Sequence, residues 1–152
     1  RWESDKAKER AAKTPQEAAT ATPSALDGLT SALPALTHCQ KIVQRATRVG
    51  FDWEKPTDVL PKLDEEIKEL AAEMPSGAPD RITDELGDVL FTTVCLAHKL
   101  RIDPETALRQ ANRKFERRFR AMESRLGKEK RQNDPISLNE WENAWRAVKS
   151  QE

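Results

Sequence analysis

The stretch DRITDELGDVLFTTVCLAHKL (residues 80–100) decides the fold of this chain. Apolar or small side chains recur along it every three or four residues, as they do on one face of an α-helix: Ile82, Leu86, Val89, Thr93, Leu96 and Leu100. Residues 89–97 carry no charge, so the second half of this helix is apolar on nearly every side. This uncharged run is too short to cross a bilayer. The stretch therefore predicts a buried central helix.

Four further helices are predicted on either side of this one. They cover about residues 34–49, 57–74 and 104–126, and a last segment that opens at Ser137. Asp103 before Pro104 has the form of an N-cap followed by proline at the first helical position, and Ser137 with Glu140 has the form of a capping box. Because no segment alternates between apolar and polar residues as a half-buried strand does, the chain is predicted to be all-α.

The composition suits amphipathic helices that share a thin core, since 37% of the 152 residues are hydrophobic and 34% are charged. Residues 1–30 are predicted to be a linker, because residues 6–30 are rich in Ala, Thr, Lys and Pro, and residues 31–152 are predicted to form one domain. Cys39 and Cys95 are too few for a disulfide scaffold and are typical of a cytoplasmic protein. The apolar residues 89–97 predict a homodimer without a membrane anchor.

Charge is distributed unevenly, although the net charge is zero. Residues 52–90 carry 12 acids against 4 bases, whereas residues 101–131 carry 11 bases against 5 acids. Acids can hold a cation and bases can meet an anion, and a metal-bound phosphate requires both. The same pattern also fits two solvated helix faces.

Two pairs of carboxylates stand out in the acidic segment. They are Glu66 with Glu69 on the second predicted helix and Glu85 with Asp88 on the third. A spacing of three residues puts each pair on one helix surface, and the short connector PSGAP predicts an antiparallel hairpin that can bring the pairs face to face. Such an all-oxygen set predicts a site for Mg²⁺, or for Mn²⁺. Gly87, which is costly inside a helix, is predicted to permit a close approach of backbone or ligand. Ordinary surface charge is the alternative interpretation.

The basic segment contains NRKFERRFR (residues 112–120), in which Lys114 and Arg118 are four residues apart beside a stripe of phenylalanines. Trp145 and Lys149 repeat this spacing on the last helix. Phosphate recognition by the cations and base stacking by the indole form one interpretation. A solvated basic face with a tryptophan in the core is the other.

Four segments of the chain together resemble the MazG family of nucleoside triphosphate pyrophosphohydrolases. They are LPALTHCQKIVQRATRVGFDW (33–53), the two carboxylate pairs, DELGDVLF (84–91) and NRKFERRF (112–119). The resemblance covers about residues 33–150. Because Trp2 and Lys6 are similar to the ending Trp145 to Lys149, residues 1–6 are expected to be the remnant of an upstream copy.

The resemblance implies an all-α, four-helix bundle-like domain with an extra C-terminal helix, active as a dimer. It implies hydrolysis of a nucleoside triphosphate to the monophosphate and pyrophosphate. It also implies that Mg²⁺ is held by Glu66, Glu69, Glu85 and Asp88, and that the substrate is bound by Lys62, Glu65, Asp84, Lys114, Arg118, Trp145 and Lys149. Glu65 is our choice for the residue that activates water. Asp84 stands where many relatives have Glu, which puts its contacts with substrate in question.

A second hypothesis belongs to another class of function. A non-catalytic helical dimerisation module could bind RNA or a protein through its basic helix. Under the first hypothesis the partners are a nucleoside triphosphate and a second copy of the chain, and no nucleic acid is expected. Metal-dependent release of pyrophosphate distinguishes the two.

Overall fold

A computed structural model describes residues 22–129 and 134–152, and these residues form five α-helices and no strand. The helices are α1 (Ala35–Arg48), α2 (Pro56–Glu73), α3 (Pro79–Lys99), α4 (Pro104–Glu129) and α5 (Leu138–Ser150), with a 3₁₀ turn at Met74–Ser76. The predicted all-α class is confirmed. The predicted boundaries lie close to the observed ones, and the largest difference is at the end of α4, which continues past the predicted Leu126.

The chain divides into two compact units, one ending at Glu105 and the other beginning at Thr106. In the first unit, α3 packs against both α1 and α2. Its core is made of small and medium apolar side chains, namely Val43, Val59, Val94 and Cys95, with Leu36, Cys39, Trp53 and Leu96 packed around them. The prediction that α3 is a central helix is confirmed for this unit.

The second half of α3 is less buried than its composition predicts. Thr92, Val94 and Cys95 are buried, but Leu90 is 59% exposed and Phe91 is 41% exposed. Among the described residues of the first unit, α1 and α2 are the helices that pack against α3, and part of its apolar surface stays exposed. None of the helices among the described residues is long and apolar enough to cross a membrane.

The second unit is built from α4 and α5. Met122, Leu126 and Ala144 are buried between them, and Ile136, Trp141, Trp145 and Val148 pack around this cluster. Phe119 of α4 stacks on Trp141 of α5, with ring centroids 5.2 Å apart. The tryptophans of α5 are therefore packing residues in this unit, as one of the two interpretations of the sequence expects.

The predicted capping groups are confirmed. The Ser137 hydroxyl accepts a hydrogen bond from the Glu140 amide at 3.2 Å, and the Glu140 carboxylate accepts one from the Ser137 amide at 3.4 Å. The Asp103 carboxylate accepts a hydrogen bond from the Glu105 amide at 3.1 Å. The side chains of Ser137, Glu140 and Asp103 thus accept hydrogen bonds from amides that a helix start leaves without partners. Pro34 was predicted to be the first residue of its helix, but its ψ of 142° is not helical and it precedes the first helical residue.

The linker predicted at residues 1–30 lies largely outside the described residues. Within the described part, Ser24 and Asp27 form a turn in which the Asp27 carboxylate accepts a hydrogen bond from the Ser24 amide at 2.9 Å. Arg45 of α1 donates a hydrogen bond to the carbonyl of Asp27 at 2.6 Å. This turn is therefore attached to α1, before the predicted start of the folded part, although the boundary at residue 30 stays a prediction.

A Schellman motif ends α3 and places Arg101 in the left-handed region, with φ of 58°. The Arg101 amide donates to the carbonyl of His98 at 3.0 Å, and the Ile102 amide donates to the carbonyl of Ala97 at 2.9 Å. A residue with a Cβ atom pays a steric cost in this conformation, whereas glycine does not.

Replacing Arg101 with Gly is expected to raise the free energy of unfolding by up to about 1 kcal/mol, because it removes this steric cost. Urea unfolding of the variant and of the wild type measures the difference. Gly77, with φ of 64° in the connector after α2, offers the reverse test. Gly77→Ala is expected to lower the free energy of unfolding by a similar amount. A lower stability of Arg101→Gly, or a higher stability of Gly77→Ala, would contradict the argument.

Candidate functional site

Three carboxylates from α2 and α3 meet in the first unit. One oxygen from each of Glu66, Glu85 and Asp88 lies within 4.8 Å of the other two. Arg81 lies 3.7 Å from Glu73 nearer the connector, so α2 and α3 run antiparallel as the predicted hairpin. A cluster of this kind, on its own, is also common on acidic surfaces. Its surroundings therefore decide what it can hold.

Two of these carboxylates have oxygens that are buried and lack a donor. In the described part of the chain, Glu66 Oε2 and Glu85 Oε2 accept no hydrogen bond, and Glu66 is only 6% exposed. A buried acceptor without a partner costs free energy, and a buried charge costs more. A divalent cation would satisfy both oxygens, and carboxylate oxygens are the ligands that Mg²⁺ prefers. The residues present therefore fit such an ion, with Asp88 as an exposed third ligand.

Electrostatics within the cluster are unbalanced. Burial, followed by the charge of Asp88, raises the pKa of Glu85. Repulsion by Glu66 raises the pKa of Glu69. Glu66 itself keeps a lowered pKa because the Lys62 ammonium donates a hydrogen bond to it, at 2.8 Å from Oε1. One lysine therefore neutralises one side of Glu66 and leaves the carboxylates of α3 uncompensated.

The remaining residues predicted in this unit lie around the cluster. Glu69 is exposed and is not one of the three converging carboxylates, although it is near enough to Glu66 to be repelled by it. Glu65 is exposed and lies 3.7 Å from the Lys62 ammonium. Asp84 is exposed beside Glu85 and adds to the repulsion there. The Lys62 ammonium already forms ion pairs with the carboxylates of Glu65 and Glu66.

Gly87 lies between two residues of the cluster on α3. A Cβ atom at this position would meet no other atom of the described chain within 4 Å. The predicted close approach of backbone is therefore absent within the described residues, and only an approaching ligand or second molecule could make use of the glycine.

The predicted basic residues lie in the second unit. The Arg118 guanidinium carbon is 5.3 Å from the centre of the Trp145 ring, and the Lys149 ammonium is 5.9 Å from it. Both distances permit a cation–π interaction. Lys114 is exposed one helical turn before Arg118. The structure thus brings Arg118 and Lys149 to the same ring of Trp145, whereas the spacing predicts only the neighbourhood of Trp145 and Lys149 on the last helix.

Glu152 is a member of this basic cluster that sequence reasoning missed. Its carboxylate accepts hydrogen bonds from Arg118 Nε at 2.9 Å and from Arg118 Nη2 at 2.6 Å. Hydrogen bonding by Arg118 lowers the pKa of Glu152 to about 2. No spacing signal could have revealed this pair, because its members are 34 residues apart, and Arg118 lies on α4 whereas Glu152 follows the end of α5.

Carboxylates from two antiparallel helices converge in this structure, and two of their buried oxygens have no donor among the described residues. These features define the class of the protein as all-helical with a candidate divalent-cation site. Comparison with known proteins gives the family. Residues 54–122 match the family described as the MazG nucleotide pyrophosphohydrolase domain. These residues include α2, α3 and the cluster, and this part of the chain belongs to the MazG family, as the resemblance predicts.

Relatives extend the similarity beyond that match. The chain is 42% identical, over its whole length, to a nucleoside triphosphate pyrophosphohydrolase of Escherichia coli K12, of which it covers 56%. It is 34% identical, over 97% of its length, to a nucleoside triphosphate pyrophosphohydrolase/pyrophosphatase MazG of Thermotoga maritima, of which it covers 54%. The chain therefore spans about half the length of these relatives.

Proposed function

We propose that this chain hydrolyses nucleoside triphosphates to nucleoside monophosphates and pyrophosphate with the help of Mg²⁺. The observation that carries the proposal is a pair of buried carboxylate oxygens, Glu66 Oε2 and Glu85 Oε2, that find no donor among the described residues and lie beside the exposed carboxylate of Asp88. The names of the two relatives, each similar to the chain over nearly all of its length, support the same chemistry.

Glu66, Glu69, Glu85 and Asp88 would hold the ion. Three of them already converge, and Glu69 can join them because it is exposed and lies near Glu66. A bound divalent cation neutralises the charge that develops on the phosphates during transfer. Mn²⁺ has a similar preference for oxygen ligands and could replace Mg²⁺.

The side chains around the cluster have separate proposed roles. Glu65 accepts a proton from the water that attacks the α-phosphorus, so that an oxygen–phosphorus bond forms while the bond to pyrophosphate breaks. Lys62 and Asp84 contact the substrate. Glu65 suits its role because its carboxylate is exposed and lies 3.7 Å from the Lys62 ammonium, which is itself proposed to contact the substrate.

The basic cluster of the second unit has a role in substrate binding. Lys114, Arg118 and Lys149 bind phosphate oxygens, and Trp145 offers an aromatic surface. Arginine suits phosphate because its planar guanidinium donates two parallel hydrogen bonds. The guanidinium of Arg118 already makes this bidentate arrangement with a carboxylate in the structure.

Release of pyrophosphate from each common ribonucleoside and deoxyribonucleoside triphosphate, with and without Mg²⁺, tests the proposal. We expect release that requires the ion and that disappears when EDTA is added. If no triphosphate gives metal-dependent release, and a labelled RNA binds instead through α4, the non-catalytic module becomes the better hypothesis. The panel also identifies the preferred base and sugar.

We further propose that the active form is a homodimer in which α3 packs against its copy. Leu86, Leu90 and Phe91 are each at least 41% exposed on α3, although the helix is the central one of its unit. Exposed apolar side chains adjacent on one helix favour association.

The cytoplasmic location that the cysteine content indicates stays a prediction.

Sedimentation equilibrium at micromolar concentration is expected to give about twice the chain mass of 17.2 kDa. Leu90→Glu should shift the protein to the monomer, because it buries a charge in the proposed interface. Leu138→Glu is the matched control, since Leu138 is 73% exposed at the start of α5. A wild-type monomer, or a dimer that Leu90→Glu leaves intact, would contradict an interface on α3.

A further inference from the structure

Arg118 already donates two hydrogen bonds to a carboxylate in the second unit. Its Nε and Nη2 donate to the two different oxygens of Glu152, at 2.9 and 2.6 Å. This is the fork geometry with which arginine also binds phosphate. The Arg118 side chain is only 14% exposed, so Glu152 and the ring of Trp145 enclose most of it.

The position of the Glu152 carboxylate has the character of an anion site. Arg117 lies 3.4 Å from Oε1, so two guanidinium groups point toward one carboxylate. Lys149 adds a third positive charge on the same ring of Trp145 that Arg118 contacts. An arrangement of two arginines around a carboxylate can accept phosphate oxygens in the same place.

Among the described residues, Arg117 and Arg118 alone pair with the Glu152 carboxylate, and the Glu152 side chain is 35% exposed. The Glu152 carboxylate carries a single negative charge and is partly open to solvent, so an anion of higher charge can displace it from the arginines. Acid does not release it in the ordinary range. Because the pKa of Glu152 is lowered from 4.5 to about 2, the pair contributes to stability above pH 4.5 and is lost only as the pH falls toward 2.

From these contacts we infer that Glu152 is an autoinhibitory carboxylate: it occupies the phosphate position on Arg118, and a triphosphate must displace it to bind. The inference rests on the proposed role of Arg118 in substrate binding. The Glu152 carboxylate then competes with the triphosphate for Arg118, and this competition raises the substrate concentration needed for binding. Single phosphates compete poorly with it, whereas a triphosphate carries enough charge to replace it.

Glu152→Gln in the whole chain tests the inference, because it removes the charge and keeps the size of the side chain. We expect KM for a nucleoside triphosphate to fall about two- to fivefold while kcat changes little. Glu142→Gln is the matched control, since Glu142 is exposed on α5, before Glu152 in the chain, and the change removes the same charge. In an Arg118→Lys background, Glu152→Gln should have no further effect on KM, because Lys lacks the bidentate fork.

Binding of inorganic tripolyphosphate, measured by calorimetry, separates this inference from the proposed activity. Tighter binding by Glu152→Gln in a protein that hydrolyses nothing would support the competitor and contradict the hydrolase. Hydrolysis by the wild type with unchanged KM and unchanged tripolyphosphate binding in Glu152→Gln would overturn the competitor alone. An equal gain in Glu142→Gln would overturn it too, since it would reflect general charge. If Glu152→Gln lowers the melting temperature, Glu152→Asp provides the same test, because the shorter side chain breaks the bidentate contact with Arg118.

Discussion

Replacing Asp88 with Asn is expected to reduce Mg²⁺-dependent hydrolysis about 100-fold or more, measured as kcat/KM. Asp88 is the exposed member of the three converging carboxylates, and the change removes a charged ligand without opening a cavity. The protein should stay folded. Its melting temperature without metal should rise, because the charge of Asp88 contributes to the repulsion that raises the pKa of Glu85.

A second readout makes this prediction independent of activity. Mg²⁺ should raise the melting temperature of the wild type, as any ligand of the native state does, and should raise that of Asp88→Asn much less. Asp64→Asn is the control, because Asp64 on α2 pairs with Lys68 at the surface, at 2.8 Å, away from the cluster. Near-normal turnover of Asp88→Asn, or an equal loss in Asp64→Asn, would rule out the carboxylate site.

The same measurements decide the place of Glu69. If it is a fourth ligand, Glu69→Gln should lose activity as Asp88→Asn does, and should lose the stabilisation by Mg²⁺. If the three converging carboxylates are sufficient, Glu69→Gln should keep most of both.

Replacing Arg118 with Ala is expected to lower kcat/KM about 10- to 1000-fold, as the loss of a charged hydrogen bond at a reacting phosphate does. The competing carboxylate does not weaken this expectation. Arg118→Ala removes the side chain that both binds phosphate and pairs with Glu152. The variant therefore loses affinity for the triphosphate, and release of the Glu152 carboxylate cannot restore it. Steady-state kinetics with the preferred triphosphate measure the effect.

Arg125→Ala is the control for this prediction. Arg125 lies farther along α4, near Leu126 and Ala144, and loses the same charge from the same helix. It should change kcat/KM little. A steering field would respond similarly to both changes, and the response would weaken with salt. Equal, salt-sensitive losses in the two variants would return α4 to the interpretation of a solvated basic face.

The helices of this chain were predictable because their causes are local. The apolar period of residues 80–100 predicts α3, and Ser137 with Glu140 predicts the start of α5 through hydrogen bonds that span three residues. The connector after α2 was short enough to force a hairpin. The sequence could therefore predict that carboxylates spaced three residues apart on these two helices face each other. In the structure Glu66, Glu85 and Asp88 converge there.

Other features depend on which side chains the fold brings close, and no local pattern contains them. Lys62 lies one turn before Glu66, but burial of Glu66 against α3 makes their contact a central part of the site. The exposure of Leu90 and Phe91 depends on how few helices pack against α3 in the first unit. Composition predicts an apolar helix and cannot say which of its sides is covered.

The sequence by itself determined the all-α class, the helix ends and the residues that could bind a cation, because periodicity, capping and residue type act over a few positions. Only the tertiary structure decided that Glu66 and Glu85 each bury an oxygen to which no described residue donates, and that Glu152 pairs with Arg118. The physical reason is distance along the chain. Both arrangements join residues that are distant along the chain, and packing rather than local preference sets which of their atoms meet.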